Sequence, residues 1–274
     1  MAIPFTLDGR DIVLIDTPGF DDDVRSDVQI LEDIARWLSK KGYMKENLLD
    51  GVIFLHPITL NRVGGSERKR TRLLEKILGS SAYNRVIIAT TMWDDLRSQE
   101  AVDMRLEGRL KVGGVWHEMC SKGATIARHT NDPESAHEII RKVIRISDNL
   151  GKVQPLLQEE LKVTRGRVNE TSAGKELRHQ LEGDVRLIKQ QLEKHDEDRP
   201  PPSYKRDKDM AHRNEWKEWH KERKMMKDRL ELREEQLKRL GSMVVSTFTT
   251  VQAKIFLHQD DTNFLVQRFD SSFS

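Results

Sequence analysis

The first stretch that could do chemistry is Asp16-Thr17-Pro18-Gly19, which directly follows four consecutive apolar residues. An unbroken apolar run is typical of a buried strand, so Asp16 would stand at the carboxyl edge of a sheet, where open α/β sheets bind ligands. Gly19 has no side chain and leaves its N–H open to a close ligand. A carboxylate beside such an N–H suits a hydrated Mg²⁺ and a nucleotide's terminal phosphate, although the same pattern alone also fits an ordinary turn.

A second carboxylate, Asp94, follows another apolar run that ends at Thr91. A carboxylate can accept hydrogen bonds from both N1–H and N2–H₂ of guanine, a pair of donors that adenine does not offer. Asn131, in the loop after the last predicted strand, could close the other side of the base. As single residues, Asp94 and Asn131 also fit helix caps, and their position at successive strand ends is what favours a ligand.

Alternating strands and helices must position these residues. The predicted strands cover residues 3–7, 12–15, 48–56, 84–91 and 123–129, and amphipathic helices separate most of them. Asp8-Gly9 predicts a tight hairpin between the first two strands, and Asp132-Pro133 predicts the cap and first residue of a helix. This alternation indicates parallel crossovers and a layered α/β sheet.

Four segments carry a resemblance to a known family: LIDTPGFDD at 14–22, LH at 55–56, NRVGG at 61–65 and TTMWD at 90–94. Within them, Asp16-Thr17-Pro18-Gly19 resembles the Asp-x-x-Gly motif of GTP-binding domains, and Thr91-Met92-Trp93-Asp94 resembles their Asn/Thr-Lys-x-Asp motif. The likeness is strongest to the septin-like and immunity-associated G-domain family, and within it to uncharacterised fungal G-domain proteins. It covers residues 1 to about 147. The resemblance implies a three-layer P-loop NTPase (G-domain) sheet that binds GTP or GDP with Mg²⁺.

At the phosphate end, the resemblance implies that Asp16 holds Mg²⁺ through water and that Gly19 bonds the γ-phosphate. Thr17 belongs to the same nucleotide-binding motif. The acidic residues 21–23, which precede a predicted helix, also fit capping of that helix.

At the base end, the resemblance implies that Asp94 reads guanine and that the loop around His129 and Asn131 flanks the base. Thr91 takes the first position of the base motif. Met92 stands where the family pattern has a lysine along the base, so that contact is either lost or replaced by a thioether against the ring.

The phosphate loop Gly-x-x-x-x-Gly-Lys-Ser/Thr does not occur in this sequence. Residues 172–176 (SAGKE) have a lysine after glycine but no Ser or Thr after it, and the upstream spacing is wrong. We therefore expect a G domain shortened at its N-terminus, with hydrolysis not expected and no catalytic residue assigned. A missing central strand would expose sheet edges and apolar surface.

After residue 148 the composition becomes highly charged, which predicts a helical coiled-coil region over 149–241 and a C-terminal tail over 242–274. Apolar residues fall at three- and four-residue steps, the seam of a coiled coil. They are Leu157, Leu161, Leu177, Leu181, Val185, Ile188 and Leu192. Glycines 166, 174 and 183 interrupt this seam, and three prolines from Pro200 separate it from a second helix over 207–241. The two helices could fold back on each other or pair with another chain. Residues 243–258 fit a strand or an amphipathic anchor.

Composition narrows the class of protein. The chain has 274 residues, a formal net charge of +2 and a pI near 8.5, which gives no argument for nucleic acid as a partner. A single cysteine, Cys120, excludes an internal disulfide, fits a reducing compartment and is best interpreted as a half-buried, inert thiol. The absence of a secretory signal and of any apolar run near 20 residues predicts a cytoplasmic protein without a transmembrane segment.

Two functional hypotheses follow. The first is a guanine-nucleotide-binding domain with a coiled-coil extension, whose partners would be the nucleotide and a protein, or a second copy, on the coiled coil. The second is a nucleotide-free scaffold, in which the α/β part is a platform and the helices bind a partner.

Overall fold

The computed structural model describes residues 2–20, 25–39, 48–59, 63–95, 99–200, 210–245 and 263–268, the last segment by its backbone alone. The predicted acidic caps at 21–23 and most of the predicted strand or anchor at 243–258 lie outside these residues. The strands are β1 (Ala2–Leu7), β2 (Arg10–Thr17), β3 (Gly51–Pro57), β4 (Val86–Thr91), β5 (Thr125–Arg128) and β6 (Asn263–Arg268). The α-helices are α1 (Asp27–Ser39), α2 (Gly65–Leu78), α3 (Gln99–Leu110), α4 (His117–Ser121), α5 (Pro133–Leu150), α6 (Leu156–Val163), α7 (Ser172–Glu197) and α8 (Met210–Ser242).

The six strands form one mixed sheet in the order β1-β2-β6-β3-β4-β5, which confirms the predicted α/β class. β1 and β2 form the predicted hairpin, whose Asp8 and Gly9 both have positive φ, the conformation that a tight Asp-Gly turn requires. β3, β4 and β5 are parallel to one another. The expected exposed edges in the middle of the sheet are absent from the described strands, because β6 pairs with both β2 and β3.

The sheet has helices on both faces. On one face, α5 covers β3 and β4 with Ile139, Ile140, Val143 and Ile144. On the other face, α1 and α2 bury their apolar stripes against the sheet, and α6, α7 and α8 add a further layer to the same core. β3 packs on both of its faces, which explains the unbroken apolar run Val52–Leu55 before His56.

The two long helices α7 and α8 fold back on each other within the chain. Their predicted seam is buried here, including Leu177, Leu181, Val185 and Ile188 of α7 with Trp219 and Leu240 of α8. The hairpin also contacts the sheet-covering helices, because Lys69 Nζ donates to Asp184 over 2.5 Å and Arg239 donates to Glu32 over 2.7 Å. Residues 149–241 therefore share a hydrophobic core with the first half of the chain.

The glycines that interrupt the predicted seam do not break α7, which runs through residues 174 and 183. Gly166 precedes the helix with φ of 81°, and its carbonyl accepts from Val245 N–H over 2.9 Å. A Cβ at Gly166 would lie 2.1 Å from the Val245 carbonyl oxygen. Gly166 therefore allows the chain after α8 to pack on the turn before α7.

Replacing Gly166 with alanine is expected to lower the free energy of unfolding by about 1–3 kcal/mol, because a side chain there is strained in the left-handed region. Gly183 is the matched control: it lies inside α7, where its nearest neighbour to a new Cβ is 3.9 Å away. Gly183→Ala is expected to raise the free energy of unfolding by about 0.5–1 kcal/mol. Urea unfolding measures both, and changes of the same sign would contradict the assignment.

In the part of the chain that the structure describes, no helix has both the length and the apolar composition that crossing a bilayer requires.

Candidate functional site

The carboxyl ends of β2, β3, β4 and β5 form one edge of the sheet, which we call the carboxyl rim. β2 and β3 are each antiparallel to β6, so they run in the same direction as β4 and β5. The structure places Asp16 and Asp94 on this rim, at the ends of β2 and β4, with β6 and β3 between them. Both sequence-predicted carboxylates therefore share the edge where α/β sheets bind ligands.

The two carboxylates are far apart along the rim. Three strand spacings separate β2 from β4, which corresponds to roughly 14 Å across the sheet. Asp16 pairs with Phe264, Phe264 pairs with Ile53, and Ile53 pairs with Ile87. Asp16 is therefore level with Ile87 across the sheet, and Met92 lies five residues further along the strand direction. A ligand that contacts both carboxylates must therefore be long.

The turn after β2 is fixed to the core. Asp16 is partly buried, and this burial raises the pKa of its carboxyl above the usual value. Gly19 is buried, and Phe20 packs into the core beside Ile34. Thr17 and Phe20 line a small apolar cavity of ≈ 20 Å³ beneath the turn. The turn with Asp16, Thr17 and Gly19 is therefore a firm part of the rim.

The residues that the structure describes contain no cluster of three His, Cys, Asp or Glu side chains that could hold a metal ion. Mg²⁺ is commonly bound by one or two carboxylates together with water and substrate phosphates. Asp16 would therefore supply a single carboxylate to such an ion, and water and phosphate oxygens would have to supply its other ligands.

The segment predicted to contact the base begins with a strained turn. Met92 directly follows β4 with φ of 60°, which is unusual for a residue other than glycine, and strain of this kind clusters at functional sites. Thr91, the last residue of β4, holds the loop after β3 through its carbonyl, which accepts from Ile58 N–H over 2.9 Å. Trp93 donates its indole N–H to the Thr90 carbonyl over 2.8 Å.

This turn displays Asp94 to solvent. Asp94 is exposed and has neither a hydrogen bond nor an ion pair to the residues that the structure describes. Beside it, the guanidinium of Arg128 lies 4.2 Å from the centre of the Trp93 ring. The Trp93 ring is thus fixed by its own hydrogen bond and by a cation–π contact. Asp94 does not act as a helix cap here, because α3 begins later, at Gln99.

The neighbouring strand end supplies the loop from His129 to Asn131. The His129 N–H donates to the Thr90 carbonyl over 2.8 Å, and its ring Nδ1 lies 2.8 Å from Ser135 Oγ. Asn131 has φ of 59°, is exposed and has no hydrogen bond among the described residues. His129 is held by Ser135 of α5, whereas Asn131 is exposed beside the end of β5.

Asp132 follows as the predicted N-cap of α5, and Pro133 takes the first turn. The Asp132 carboxylate accepts from Ser135 N–H over 2.9 Å and also from the Thr130 hydroxyl, and these hydrogen bonds lower the pKa of Asp132 to about 2. The capping role belongs to Asp132, so Asn131 is not needed for it.

Sequence reasoning missed a buried ionic cluster beneath the rim, which we call the Glu67–Arg109 cluster: His56 of β3, Glu67 of α2, Arg109 of α3 and Trp116. Arg109 donates from Nε and from a terminal nitrogen to both carboxylate oxygens of Glu67, over 2.7 and 3.0 Å. His56 Nε2 lies 3.4 Å from Glu67 Oε1, and Trp116 packs edge-on to the His56 ring. Burial and the nearby Arg109 charge lower the pKa of His56 to about 3, so it is neutral.

Only a weak signal for this cluster is present in the sequence. Glu67 occupies the buried side of an amphipathic helix, where a carboxylate requires a partner, but that partner lies 42 residues away.

Cys120 is as expected half-buried, and burial raises the pKa of its thiol. It makes no contribution to the rim.

Neither the protein-family models nor the curated proteins contain a match to this sequence. The resemblance to G domains therefore depends on the sequence motifs alone.

Proposed function

We propose that the carboxyl rim binds a guanine nucleotide, with the base beside Asp94 and the phosphates beside Asp16, Thr17 and Gly19. The observation that carries the proposal is the pair of exposed polar side chains, Asp94 and Asn131, at the ends of neighbouring strands, the first of them on the turn strained at Met92. Neither side chain is used within the described part of the fold. Strained turns that display unused polar groups fit a binding role better than a structural one.

The chemistry at each end is different. Asp94 can accept from N1–H and N2–H₂ of guanine, while the Asn131 carboxamide can donate or accept at the opposite side of the base. Trp93 is the nearby aromatic surface, with Arg128 on one of its faces. At the other end, Asp16 would meet a hydrated Mg²⁺ carried by the phosphates, and Gly19 would offer a backbone N–H. This arrangement supports binding, and no residue is assigned to hydrolysis.

Asp94→Asn is expected to exchange guanine for xanthine as the preferred base. The carboxamide oxygen of asparagine can accept from N1–H, but its NH₂ group then faces the N2–H₂ donor of guanine. Xanthine has a carbonyl at C2 in place of this donor, and the NH₂ group can donate to it. GTP affinity should fall by about 10- to 100-fold, because hydrogen bonds to charged groups contribute about 1.5–3 kcal/mol. Titration of the full chain with fluorescent GTP, XTP and ATP analogues in Mg²⁺ measures the change.

The control is Asp228→Asn, the same chemical change at an exposed residue on α8. It should leave all three affinities unchanged. An Asp94→Asn variant that still binds GTP as the unchanged protein does would contradict the proposal, as would equal affinity of the unchanged protein for GTP and ATP. Chelation of Mg²⁺ should weaken binding if Asp16 acts through the ion.

A scaffold function is supported by a different observation. Leu187 of α7 and Met225 and Leu232 of α8 are large apolar residues that are all more than half exposed. Met225 and Leu232 are seven residues apart, so they lie on one face of α8. A folded protein that showed no saturable binding of any of the three nucleotides would favour this second function, with the α7–α8 hairpin as the surface for a partner.

A further inference from the structure

The position of β6 in the sheet is unusual. The chain connects β3 to β4 and β4 to β5 between immediate neighbours, but the connection from β2 through α1 to β3 leaves one strand position empty. β6, which comes last in the sequence, fills that position. It pairs with six residues of β2 and three of β3 and is antiparallel to both.

The direction of β6 brings its first residue to the carboxyl rim. Because β6 is antiparallel to β2 and β3, it begins at the end where those strands finish, and Asn263 pairs with Thr17. Thr17 is also the first residue of the turn to Gly19, where the proposed site would hold phosphate. A nucleotide that reached from Asp94 to this turn would pass over the rim between β2 and β4, where β6 begins.

We propose that β6 and the nucleotide compete for this part of the rim, so that insertion of β6 weakens nucleotide binding. The proposal rests on the proposed function. The ladder with β6 engages the inner edge of β2 as far as Thr17, and phosphate needs backbone groups of the turn that Thr17 begins. By reciprocity of coupled binding, nucleotide then also weakens the pairing of β6 with β2.

A disulfide that holds β6 in place tests the competition in the full chain. Leu14 and Val266 are paired residues of β2 and β6, away from the rim, and paired antiparallel residues have Cα separations that a disulfide can bridge. Leu14→Cys and Val266→Cys are combined with Cys120→Ser, which removes the one native thiol. The intramolecular bond is verified by mass, and GTP affinity is measured before and after reduction.

We expect the oxidised form to bind GTP about tenfold more weakly than the reduced form.

A second variant displaces β6 from the sheet instead. Leu265 pairs with both Ile15 and Val52, and proline at this position removes a ladder donor in the middle of the sheet, so Leu265→Pro should bind GTP more tightly than the unchanged chain. The single variant Leu14→Cys with Cys120→Ser is the control for the oxidant.

The outcomes separate this inference from the proposed function. Equal GTP affinity in the oxidised and reduced forms, together with loss of binding in Asp94→Asn, would overturn the competition and leave the nucleotide site standing. Weaker binding by Leu265→Pro in a chain that remains folded by circular dichroism would also overturn it. If no form binds any nucleotide, including Leu265→Pro, the proposed function fails and the competition fails with it.

Discussion

Arg109→Met should lower the free energy of unfolding by about 3–5 kcal/mol, because it leaves the Glu67 carboxylate buried without its cation. Both side chains are almost fully buried, at 1% and 3% exposure. The two hydrogen bonds from Arg109 are the contacts that offset the removal of the Glu67 charge from water. Urea unfolding at neutral pH, followed by circular dichroism, measures the change.

A double-mutant cycle distinguishes loss of the pair from loss of packing. Glu67→Met alone should also be strongly destabilising, since it leaves the Arg109 guanidinium buried, whereas the double variant with Arg109→Met should recover much of the loss. The control is Lys122→Met, which breaks an exposed ion pair with Glu118 and should change the free energy by about 0–1 kcal/mol. A change as small as this in Arg109→Met would contradict the assignment.

The Glu67–Arg109 cluster also matters for the rim above it. It joins the end of β3 to the first turn of α2 and the last turn of α3, and Arg105 of α3 donates to the Ile58 carbonyl just beyond β3. Ile58 in turn donates its N–H to the Thr91 carbonyl, next to the strained Met92. A continuous set of contacts therefore connects the buried cluster to the turn that displays Asp94.

The sequence predicted the local elements well, because their signals are local. The apolar runs before Asp16 and Thr91 are strands, the Asp8-Gly9 turn is a hairpin, and Asp132 caps its helix. In each case the physical cause, whether burial on both faces, positive φ or an unsatisfied N–H, lies within a few neighbouring residues.

The long-range features could not be predicted. The residues of β6 form a short segment, and nothing local specifies that they pair with β2 and β3 rather than extend an outer edge. The heptad pattern of α7 and α8 predicted a helical seam but not that the hairpin would lie on α1 and α2, since a seam specifies the kind of partner and not which one. The septin-like P-loop NTPase assignment and the nucleotide remain predictions.

Acid pH should reveal the buried His56. Its pKa of about 3 in the folded protein lies below the ordinary 6.5, mainly because of burial. Below pH 6.5 His56 therefore binds a proton in the unfolded chain but not in the folded chain. The contribution of His56 to stability falls as pH falls toward 3, with a slope that approaches about 1.4 kcal/mol per pH unit.

Glu75 of α2 should mask this slope over part of the range. Burial, and next the nearby Glu118 charge, raise its pKa from 4.5 to about 7. Between pH 7 and 4.5 the folded chain holds a proton on Glu75 that the unfolded chain has released. Its contribution to stability is therefore complete below pH 4.5 and is lost as pH rises through 7. From pH 6.5 to 4.5 the two contributions oppose each other.

We therefore expect Glu75→Gln to expose an acid dependence that the unchanged protein largely lacks. Between pH 6.5 and 4.5 its free energy of unfolding should fall with a slope approaching about 1.4 kcal/mol per pH unit, relative to the unchanged protein. His56→Gln is the reciprocal variant, and in the same range it should gain stability relative to the unchanged protein as the pH falls. Urea unfolding at half-unit pH steps measures these differences.

Differences between variants are the informative quantity, because other carboxylates contribute equally to each protein. Asp132, for example, with a pKa of about 2, retains its charge in the folded chain throughout this range. If the curve for Glu75→Gln ran parallel to that of the unchanged protein, Glu75 would not hold a proton in the folded state. If the curve for His56→Gln ran parallel to that of the unchanged protein, His56 would be able to bind a proton in the folded state. The surroundings of His56, formed by Glu67 and Arg109, would then have to accommodate a second positive charge or a water molecule.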